Sequence, residues 1–330
     1  MRSPWFLASA LVAVVATAAL TFDLGCGKSA LSSFETKTTA YGDGARLVVV
    51  GDLQRTSLLE FWREQNDAER ARLVAAVAEL RPDLLVMTGD CVFDGGSDRH
   101  WKAFDALVAP LRTAGIPVAV AFGNHEYWSG RPQAEAHVFP RFPLNGRRHW
   151  FSLPFGPLLL VVLDSNRSEL GDPDWLDQSR WYGQVLETAD GDPAVAGVLV
   201  LLHHPPYTNS TVTGDEPQVQ QIFVPQFLQA RKTLALASGH VHSYERYQRG
   251  GKTFVVSGGG GGPRAALATG DARRHRDDLF DGGSIRSFHF TVYSVRADGV
   301  SAEVHGLARG ATQWSVMDRF NLPFPPSPGT

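Results

Sequence analysis

Five apolar runs in this sequence each end in a side chain that can bind a metal ion, and no other feature constrains the fold as strongly. The five side chains are Asp52, Asp90, Asn124, His203 and His240. The first three runs alternate with segments of helical periodicity, which predicts a β-α-β-α-β order and a sheet covered on both faces. Because the ligand crevices of open α/β sheets lie beyond the carboxyl ends of the strands, we expect these side chains to converge.

Hydrophobic periodicity also predicts where the strands and helices lie. Strands are predicted at residues 47–50, 84–88, 118–122, 150–153, 158–163, 198–202, 234–237 and 253–257, with a later hairpin on either side of residues 298–299. Helices are predicted at residues 73–80, 104–111, 175–188 and 218–232. No internal repeat and no mid-chain linker interrupts this order, so we expect one α/β domain at residues 45–310.

The residue types at the strand ends indicate a particular chemistry. With His242 added to the five, the set contains two carboxylates, one amide and three imidazoles. Oxygen and nitrogen ligands of this kind suit Mn, Zn, Fe or Mg. The two cysteines of the chain are too few for a disulfide scaffold or an all-cysteine zinc site. We therefore predict a metal site built from oxygen and nitrogen donors at the carboxyl edge of the sheet.

The order of these motifs resembles that of the calcineurin-like metallophosphoesterases. The blocks that carry the resemblance are Asp52-Leu53-Gln54, Gly89-Asp90, Gly123-Asn124-His125-Glu126, Val200-Leu201-Leu202-His203 and Gly239-His240-Val241-His242. Residues 203–207 and 240–246 are similar to the purple acid phosphatase branch. The resemblance implies a four-layer α/β/β/α sandwich. It also implies a phosphoric ester hydrolase with two divalent or mixed-valence metal ions, of which Mn, Fe, Zn and Mg are the candidates.

The resemblance implies a role for each matched residue. Asp90 would bridge the two metals, and His125 would sit beside the substrate as an acid or charge stabiliser. The other ligands would divide into Asp52 and His242 on the first metal and Asn124, His203 and His240 on the second. The nucleophile would be a metal-bound hydroxide, since two cations clamp the attacking and leaving oxygens of a phosphoryl transfer. Phosphomonoesters are expected to be slightly favoured over diesters.

Three positions depart from the family pattern. Gln54 stands where most of the superfamily has histidine, and its amide could either ligate the first metal or only hydrogen-bond a metal-bound water. Phe93 stands where purple acid phosphatases have a ligating tyrosine, so we expect no purple ferric absorption band. Residues 209–215 lack the histidine that faces the substrate in that branch. His204 could take its place in substrate binding, or it could be a packed, hydrogen-bonded side chain.

The departures at Gln54 and Phe93 motivate a second hypothesis. A degenerate envelope protein could have kept the fold and some metal or phosphate binding while losing turnover. Against this hypothesis stand the intact carboxylate, amide and imidazole ligands of the other matched positions. The enzyme is therefore the first hypothesis and the binding protein its alternative.

The charge of the chain limits its partners. It carries 31 Lys and Arg against 34 Asp and Glu, a net charge of −3. Nucleic-acid binding needs a dense basic surface, which this balance does not supply. We expect a small phosphate ester as the substrate and no nucleic acid, while the oligomeric state stays open.

The two ends of the chain differ in composition from its middle. Residues 4–22 contain no charged side chain, which is typical of a signal peptide or N-terminal anchor at residues 1–25. Cys26 follows a small residue, as in lipidated bacterial lipoproteins, but Asp23 replaces the leucine of that motif. Lipid attachment at Cys26, cleavage nearby and an uncleaved anchor all stay open. We expect export to the periplasm or cell envelope, a tether at residues 26–44 and an irregular tail at residues 311–330.

Overall fold

The fold is described from a computed structural model, over residues 33–36, 41–57, 60–280 and 282–326. The strands are, in chain order, β1 (Arg46–Val50), β2 (Leu84–Met87), β3 (Val118–Val120), β4 (Phe151–Phe155), β5 (Leu158–Val162), β6 (Gly197–Leu201), β7 (Thr233–Ser238), β8 (Tyr244–Arg249), β9 (Lys252–Ser257), β10 (Phe288–Arg296), β11 (Gly299–Leu307) and β12 (Ser315–Pro323). The α-helices are α1 (Asp67–Leu80), α2 (Asp98–Leu107), α3 (Ala109–Thr113), α4 (Arg131–Arg141), α5 (Arg167–Gly191) and α6 (Val224–Gln229). A π-helical turn lies at Val219–Phe223, and short 3-10 turns lie at His125–Tyr127, Pro143–Asn145 and Gly270–Ala272.

Two mixed sheets form the centre of the molecule. The first has the strand order β12-β11-β10-β1-β2-β3, in which β1, β2 and β3 run parallel. The second has the order β4-β5-β6-β7-β9-β8, in which β5, β6, β7 and β9 run parallel. Each sheet therefore has a row of parallel strands, and the predicted ligands follow the carboxyl ends of these strands.

Alternation along the strands divides the apolar side chains among three cores. In β1, Leu47 and Val49 belong to the core between the two sheets. Val48 and Val50 belong to the core between the first sheet and the helices α1 to α4. A third core joins the second sheet to α5 and α6. Because each sheet is covered on both faces, the parallel strands are apolar throughout. The layers confirm the predicted four-layer α/β/β/α sandwich.

Most predicted elements are present, with shifts at their ends. The helix predicted at residues 175–188 is part of the longer α5, in which Gly171 has a φ of 72° and separates the first turn from the rest. The helix predicted at residues 218–232 begins as the π-helical turn and ends at Gln229. The elements α4 and β8 have no predicted counterpart. They lack a clear apolar period because α4 contains two prolines and β8 is a largely polar edge strand.

The prediction of an irregular tail at residues 311–330 is wrong for its central part. Strand β12 pairs antiparallel with β11 and adds an edge to the first sheet, so the fold extends past residue 310. Leu322 on this strand is buried in the core between the sheets. The prolines that suggested irregular structure do not interrupt the strand, because Pro323 ends it at a sheet edge where a missing N–H is tolerated.

The tether predicted at residues 26–44 is described only at residues 33–36 and 41–44. Phe34 is buried there against the ring of Phe142 and beneath the guanidinium of Arg112, so this short part is packed on the domain. The predicted signal segment and Cys26 lie outside the described residues. Within the described residues, no helix has the length and apolar character needed to cross a bilayer.

Candidate metal centre

The predicted ligands lie together beyond the carboxyl ends of the parallel strands. Asp52 follows β1, Asp90 follows β2 and His240 follows β7, and their φ angles are 64°, 53° and 66°. A positive φ is uncommon for residues other than glycine and is found mainly at turns and functional sites. The chain therefore turns sharply at each of these positions, directly where the ligands are required.

Glycine is required beside the two carboxylates because the backbone approaches them closely. A Cβ atom at Gly123 would lie 2.1 Å from Asp90 Oδ1, and one at Gly239 would lie 2.6 Å from Asp52 Oδ2. A larger residue at either position would displace a carboxylate. This close approach explains the glycine in two of the three sequence blocks in which glycine directly precedes the candidate ligand.

One cluster of candidate ligands contains Asp52, Gln54 and His242. His242 Nε2 lies 3.5 Å from Asp52 Oδ1 and 3.2 Å from Gln54 Nε2. His242 Nδ1 lies 2.8 Å from the carbonyl oxygen of Pro263, which keeps a proton on Nδ1 and aims the Nε2 lone pair into the cluster. Gln54 Oε1 is buried with no hydrogen-bond partner among the described residues. Turning the amide over would aim this oxygen at the same cluster.

A second cluster contains Asn124, His203 and His240. Asn124 Oδ1 lies 3.1 Å from His203 Nε2 and 3.0 Å from His240 Nδ1, and the two ring nitrogens are 3.2 Å apart. His203 Nδ1 lies 2.7 Å from the carbonyl oxygen of Thr88, so a neutral His203 presents its Nε2 lone pair to the cluster. In that state the three atoms share at most one proton.

Asp90 joins the two clusters through one carboxylate oxygen. Its Oδ2 lies 3.3 Å from Gln54 Nε2 in the first cluster and 3.3 Å from His203 Nε2 in the second. Its Oδ1 accepts a hydrogen bond of 3.0 Å from the backbone N–H of His125, which orients the carboxylate. The Asp90 side chain is only 1% exposed. One buried oxygen thus lies between two sets of candidate ligands.

The spacing of these atoms fits metal coordination. Ligands about 2.1 Å from one cation lie roughly 3.0 to 3.4 Å from each other in octahedral or tetrahedral geometry. The separations of 3.0 to 3.3 Å within the second cluster and to Asp90 fall in this range. Buried donors that lack full hydrogen bonding cost free energy unless a cation or a proton lies between them. Two overlapping groups of side chains could each hold an ion. One group is Asp52, Asp90 and His203, and the other is His203, His204 and His240.

Without a cation, these groups determine one another's protonation. Although burial opposes it, the Asp90 carboxylate raises the pKa of His203 to about 9. Burial and the neighbouring His203 lower the pKa of His240 to about 3. Burial also raises the pKa of Asp52. A cation that binds here must displace the proton of His203, so we expect metal affinity to rise with pH.

His125 lies beside Asp90 with one ring nitrogen facing the site. Its Nε2 is 3.9 Å from Asp90 Oδ2, while its Nδ1 is 2.7 Å from the carbonyl oxygen of Phe93. The Trp128 ring packs on the imidazole with 3.9 Å between centroids, and the Phe93 ring lies 5.3 Å away. Phe93 therefore supports His125 through its carbonyl group and its ring, in a position where the family resemblance called for a metal ligand.

His204 lies next to the second cluster and lines a cavity of about 610 Å³. Its ring centroid is 4.4 Å from that of His240, and its Nδ1 is 2.8 Å from Ser165 Oγ. Burial and the neighbouring imidazoles lower the pKa of His204 well below its ordinary value. His204 can therefore offer a hydrogen bond, but not a positive charge, to a group in the cavity. The cavity is also lined by Asn124, Trp128 and Arg167.

Glu126 is a residue whose role the sequence reasoning missed. Its buried carboxylate accepts three backbone hydrogen bonds of 2.8 Å each, from Asp90 and Gly123 through Oε2 and from Cys91 through Oε1. These bonds tie the loop after β2 to the loop after β3 and so position Asp90. Burial and the charge of Asp90 raise the pKa of Glu126 to about 7. Its only signal in the sequence was its place directly after His125.

An ion pair connects the loop that follows Asp52 to the segment beside His242. Arg264 donates from Nη2 to Glu64 Oε1 at 2.7 Å and from Nε to Glu64 Oε2 at 3.0 Å. These hydrogen bonds lower the pKa of Glu64. We expect Glu64→Gln to lower the free energy of unfolding by about 1 kcal/mol at pH 7, because the pair is partly shielded from water.

The pH dependence of unfolding tests this pair. Because the pKa of Glu64 is lower in the folded chain, its contribution is present above the ordinary carboxyl pKa of about 4.3 and is lost as the pH falls through the folded-state pKa. Urea denaturation at pH 7 and pH 3.5 should show the difference between wild type and variant shrinking at the lower pH. Glu303→Gln, which breaks a more exposed pair with Arg319, is the control with a smaller expected loss. An undiminished difference at pH 3.5 would contradict the assignment.

Comparison with known proteins identifies the family of this chain. The model of the calcineurin-like phosphoesterase family matches residues 45–244, more than half of the chain and a range that includes every predicted ligand. Purple acid phosphatase 22 of Arabidopsis thaliana is 26% identical over 240 residues, which cover 69% of this chain and 51% of the relative. Purple acid phosphatase 23 of the same plant is 25% identical over 291 residues, which cover 72% and 58%. This chain therefore spans little more than half the length of these two relatives.

Solved structures share the fold at lower sequence identity. A purple acid phosphatase from yellow lupin seeds has a TM-score of 0.68 at 19% identity, covering 86% of this chain and 54% of that chain. The anchor of the inner membrane complex of Plasmodium has a TM-score of 0.66 at 14% identity, covering 87% and 91%. These likenesses show the fold alone. The family match identifies the chain: it belongs to the calcineurin-like phosphoesterase family, and its curated relatives support the purple acid phosphatase branch.

Proposed function

We propose that this protein is an exported, metal-dependent phosphoric ester hydrolase with a two-metal site. The observation that carries the proposal is the position of Asp90 Oδ2, which lies 3.3 Å from both Gln54 Nε2 and His203 Nε2. Two candidate ligand clusters thus share one carboxylate oxygen, as a bridge between two cations requires. Phosphomonoesters are proposed to be slightly favoured over diesters, on the strength of the acid-phosphatase-like blocks at residues 203–207 and 240–246.

The clusters support a division of the ligands between the two metals. The first metal would be held by Asp52, Gln54, His242 and Asp90, and the second by Asn124, His203, His240 and Asp90. When bound, two divalent or mixed-valence ions at such a site activate a water molecule and stabilise the charge that develops on the phosphate oxygens. The oxygen and nitrogen donors suit Mn, Fe, Zn or Mg.

His125 is proposed as the proton donor to the leaving group. Its Nδ1 is held by the Phe93 carbonyl, so Nε2 is the nitrogen available to the substrate. We expect His125→Ala to lower kcat on an alkyl phosphate by about 10²-fold or more, because the departing alkoxide needs a proton. The loss should be smaller on p-nitrophenyl phosphate, since p-nitrophenolate can leave without one.

Steady-state kinetics on the two substrates measures this difference. His137→Ala removes another partly buried histidine, one that lies outside the candidate clusters, and serves as the control. Equal losses of kcat on both substrates in His125→Ala would contradict the acid role and leave His125 as a charge stabiliser.

Gln54 is proposed to ligate the first metal through its amide oxygen. The amide faces His242 and Asp90 with its Nε2, and its Oε1 has no hydrogen-bond partner among the described residues. Turning the amide over would bring Oε1 to the position of Nε2. We expect Gln54→Ala to weaken the affinity for one metal by about 10- to 100-fold and to leave the second unaffected. Isothermal titration of chelator-treated protein with Mn²⁺ resolves the two events. If both affinities are unchanged, Gln54 is not a ligand.

The substrate would occupy the 610 Å³ cavity beside the second cluster. His204, held by Ser165, is proposed to hydrogen-bond the substrate there. Arg167, which pairs with Asp172, lines the same cavity together with Glu169 and Glu216, so the lining itself carries no excess positive charge. A cavity of this volume fits a small phosphate ester. Export and residence in the periplasm or cell envelope are proposed from the uncharged residues 4–22, with Cys26 as the candidate lipid attachment site.

The direct test of function is hydrolysis by metal-loaded protein. Protein treated with chelator and reloaded with Mn²⁺, Zn²⁺ or Fe should hydrolyse p-nitrophenyl phosphate faster than its bis ester, and the activity should disappear again on chelation. Activity that persists without metal would contradict the proposal.

A degenerate binding protein is the second candidate function. It is favoured by Gln54 and Phe93, which replace ligands of the family pattern, and by the Plasmodium anchor, which shares the fold. This alternative predicts bound metal without hydrolysis of either ester. The same reloaded protein therefore distinguishes the two candidates.

A further inference from the structure

A second cavity, of about 400 Å³, borders the segments that leave the candidate metal centre. One wall is made by residues 55–57, which follow Gln54, and another by residues 91–93, which follow Asp90. The third wall is the start of α2, with Arg99 and His100, and Arg70 of α1 also borders the cavity. None of these cavity-lining side chains belongs to the proposed ligand clusters.

The cavity has an excess of positive charge. Its charged lining consists of three arginines, Arg55, Arg70 and Arg99. Arg55 Nη2 and Arg70 Nη1 share the carboxylate of Asp67, at 2.8 and 2.9 Å. The Arg99 side chain makes no ion pair or hydrogen bond within the described part of the chain. Three guanidinium groups are thus balanced by one carboxylate.

The remaining lining combines apolar side chains with an unsatisfied polar atom. Val92, Phe93 and Phe104 form an apolar wall on one side of the cavity, while the side chains of Arg55 and Arg99 are exposed to solvent. His100 Nδ1 is buried and has no hydrogen-bond partner among the described residues, so one more polar atom is unsatisfied in this region. Guanidinium groups bind phosphate oxygens through paired N–H donors.

We propose that this cavity binds a phosphate group. The group could be free inorganic phosphate or the second phosphate of a bisphosphorylated substrate whose other phosphate is at the metal centre. The second source rests on the proposed function, whereas binding of free phosphate does not. Arg55 and Arg99 would supply the charge, and the apolar wall would contact the carbon skeleton between two phosphates.

The test uses the variants Arg99→Gln and Arg55→Gln/Arg99→Gln. Arg99 has no partner in the described residues, and loss of Arg55 leaves Asp67 paired with Arg70. Neither change therefore leaves a buried charged group without an ion-pair partner. Arg296→Gln is the matched control, because Arg296 is exposed at the end of β10 and the charge change is the same. Melting temperatures establish that each variant is folded, and Arg99→Gln alone is used if the double variant is not.

The first experiment titrates inorganic phosphate into chelator-treated protein by ³¹P NMR, so that no metal can hold the anion. Wild type and Arg296→Gln should bind phosphate, and the double variant should bind it at least about 10-fold more weakly. The second compares holoenzyme kinetics on a diol bisphosphate and the matching monophosphate. The double variant should raise KM about 10-fold for the bisphosphate and leave KM for the monophosphate unchanged.

The outcomes separate the two sources of phosphate. An effect in the NMR titration alone assigns the cavity to free phosphate. An effect in the kinetics, with or without one in the titration, assigns it to the second phosphate of the substrate. If the double variant matches Arg296→Gln in both experiments, the proposal is overturned. If the protein binds phosphate but hydrolyses neither ester, the cavity is supported as a phosphate site and the proposed function is contradicted.

Discussion

Replacing Asp90 with asparagine is expected to lower kcat for ester hydrolysis by on the order of 10³-fold, equivalent to about 4 kcal/mol of transition-state stabilisation. Asp90 Oδ2 lies between the two clusters, 3.3 Å from an atom of each. If two metals bind as proposed, removing the negative charge of Asp90 would weaken the binding of both ions. We expect Asp90→Asn to lose both ions on dialysis. By contrast, a substitution at a ligand that belongs to one cluster would cost only one ion.

The fold of this variant should be preserved. Asparagine tolerates the φ of 53° at this position, and its Oδ1 can still accept the hydrogen bond from the His125 N–H. The control is Asp164→Asn, a second buried aspartate that follows a strand but bonds Tyr127 and Asn166 outside the clusters. The control should lose stability and keep its metals. Retention of two metals, or of activity within tenfold of wild type, in Asp90→Asn would contradict the bridging role.

Replacing Glu126 with alanine is expected to lower the free energy of unfolding by at least about 3 kcal/mol. The carboxylate accepts the backbone N–H groups of Asp90, Cys91 and Gly123, and each buried donor left unsatisfied costs about 1 to 3 kcal/mol. Because two of these groups belong to the loop that carries Asp90, the metal affinity should fall as well. Urea denaturation of chelator-treated protein measures the stability apart from the metals.

Glu126→Gln distinguishes positioning from bulk packing. Its amide keeps the shape of the side chain but can accept with only one oxygen, and its NH₂ group would face an N–H donor. We expect it to lose less stability than Glu126→Ala and still to weaken metal binding. If the free energy of unfolding of Glu126→Ala lies within about 0.5 kcal/mol of the wild-type value, the three hydrogen bonds do not hold the loops as described.

The strand ends could be predicted from the sequence because a short apolar run followed by a polar ligand is a local pattern. Asp52, Asp90 and His203 each follow a buried parallel strand, and such strands place their carboxyl ends at one edge. The same runs predicted that the sheet is covered on both faces, since strands that are apolar throughout must be covered. The four-layer arrangement was an implication of the family resemblance.

Other features could not be predicted because they depend on distant parts of the chain. Glu126 acts on backbone groups of a loop that lies 35 and 36 residues earlier. Strand β12 is partly exposed at a sheet edge and ends in prolines, so its sequence has little apolar period. The cationic cavity combines Arg55, Arg70 and Arg99 from three segments that only the fold brings together.

Metal content measured together with turnover tests the two-metal assignment most directly. Chelator-treated protein is reloaded with increasing Mn²⁺ or Zn²⁺, and bound metal is counted by inductively coupled plasma mass spectrometry while p-nitrophenyl phosphate hydrolysis is followed. A bridging Asp90 predicts that hydrolysis rises with the second equivalent and saturates at two ions per chain. Saturation at one ion, or two bound ions without hydrolysis, would contradict a two-metal phosphoesterase.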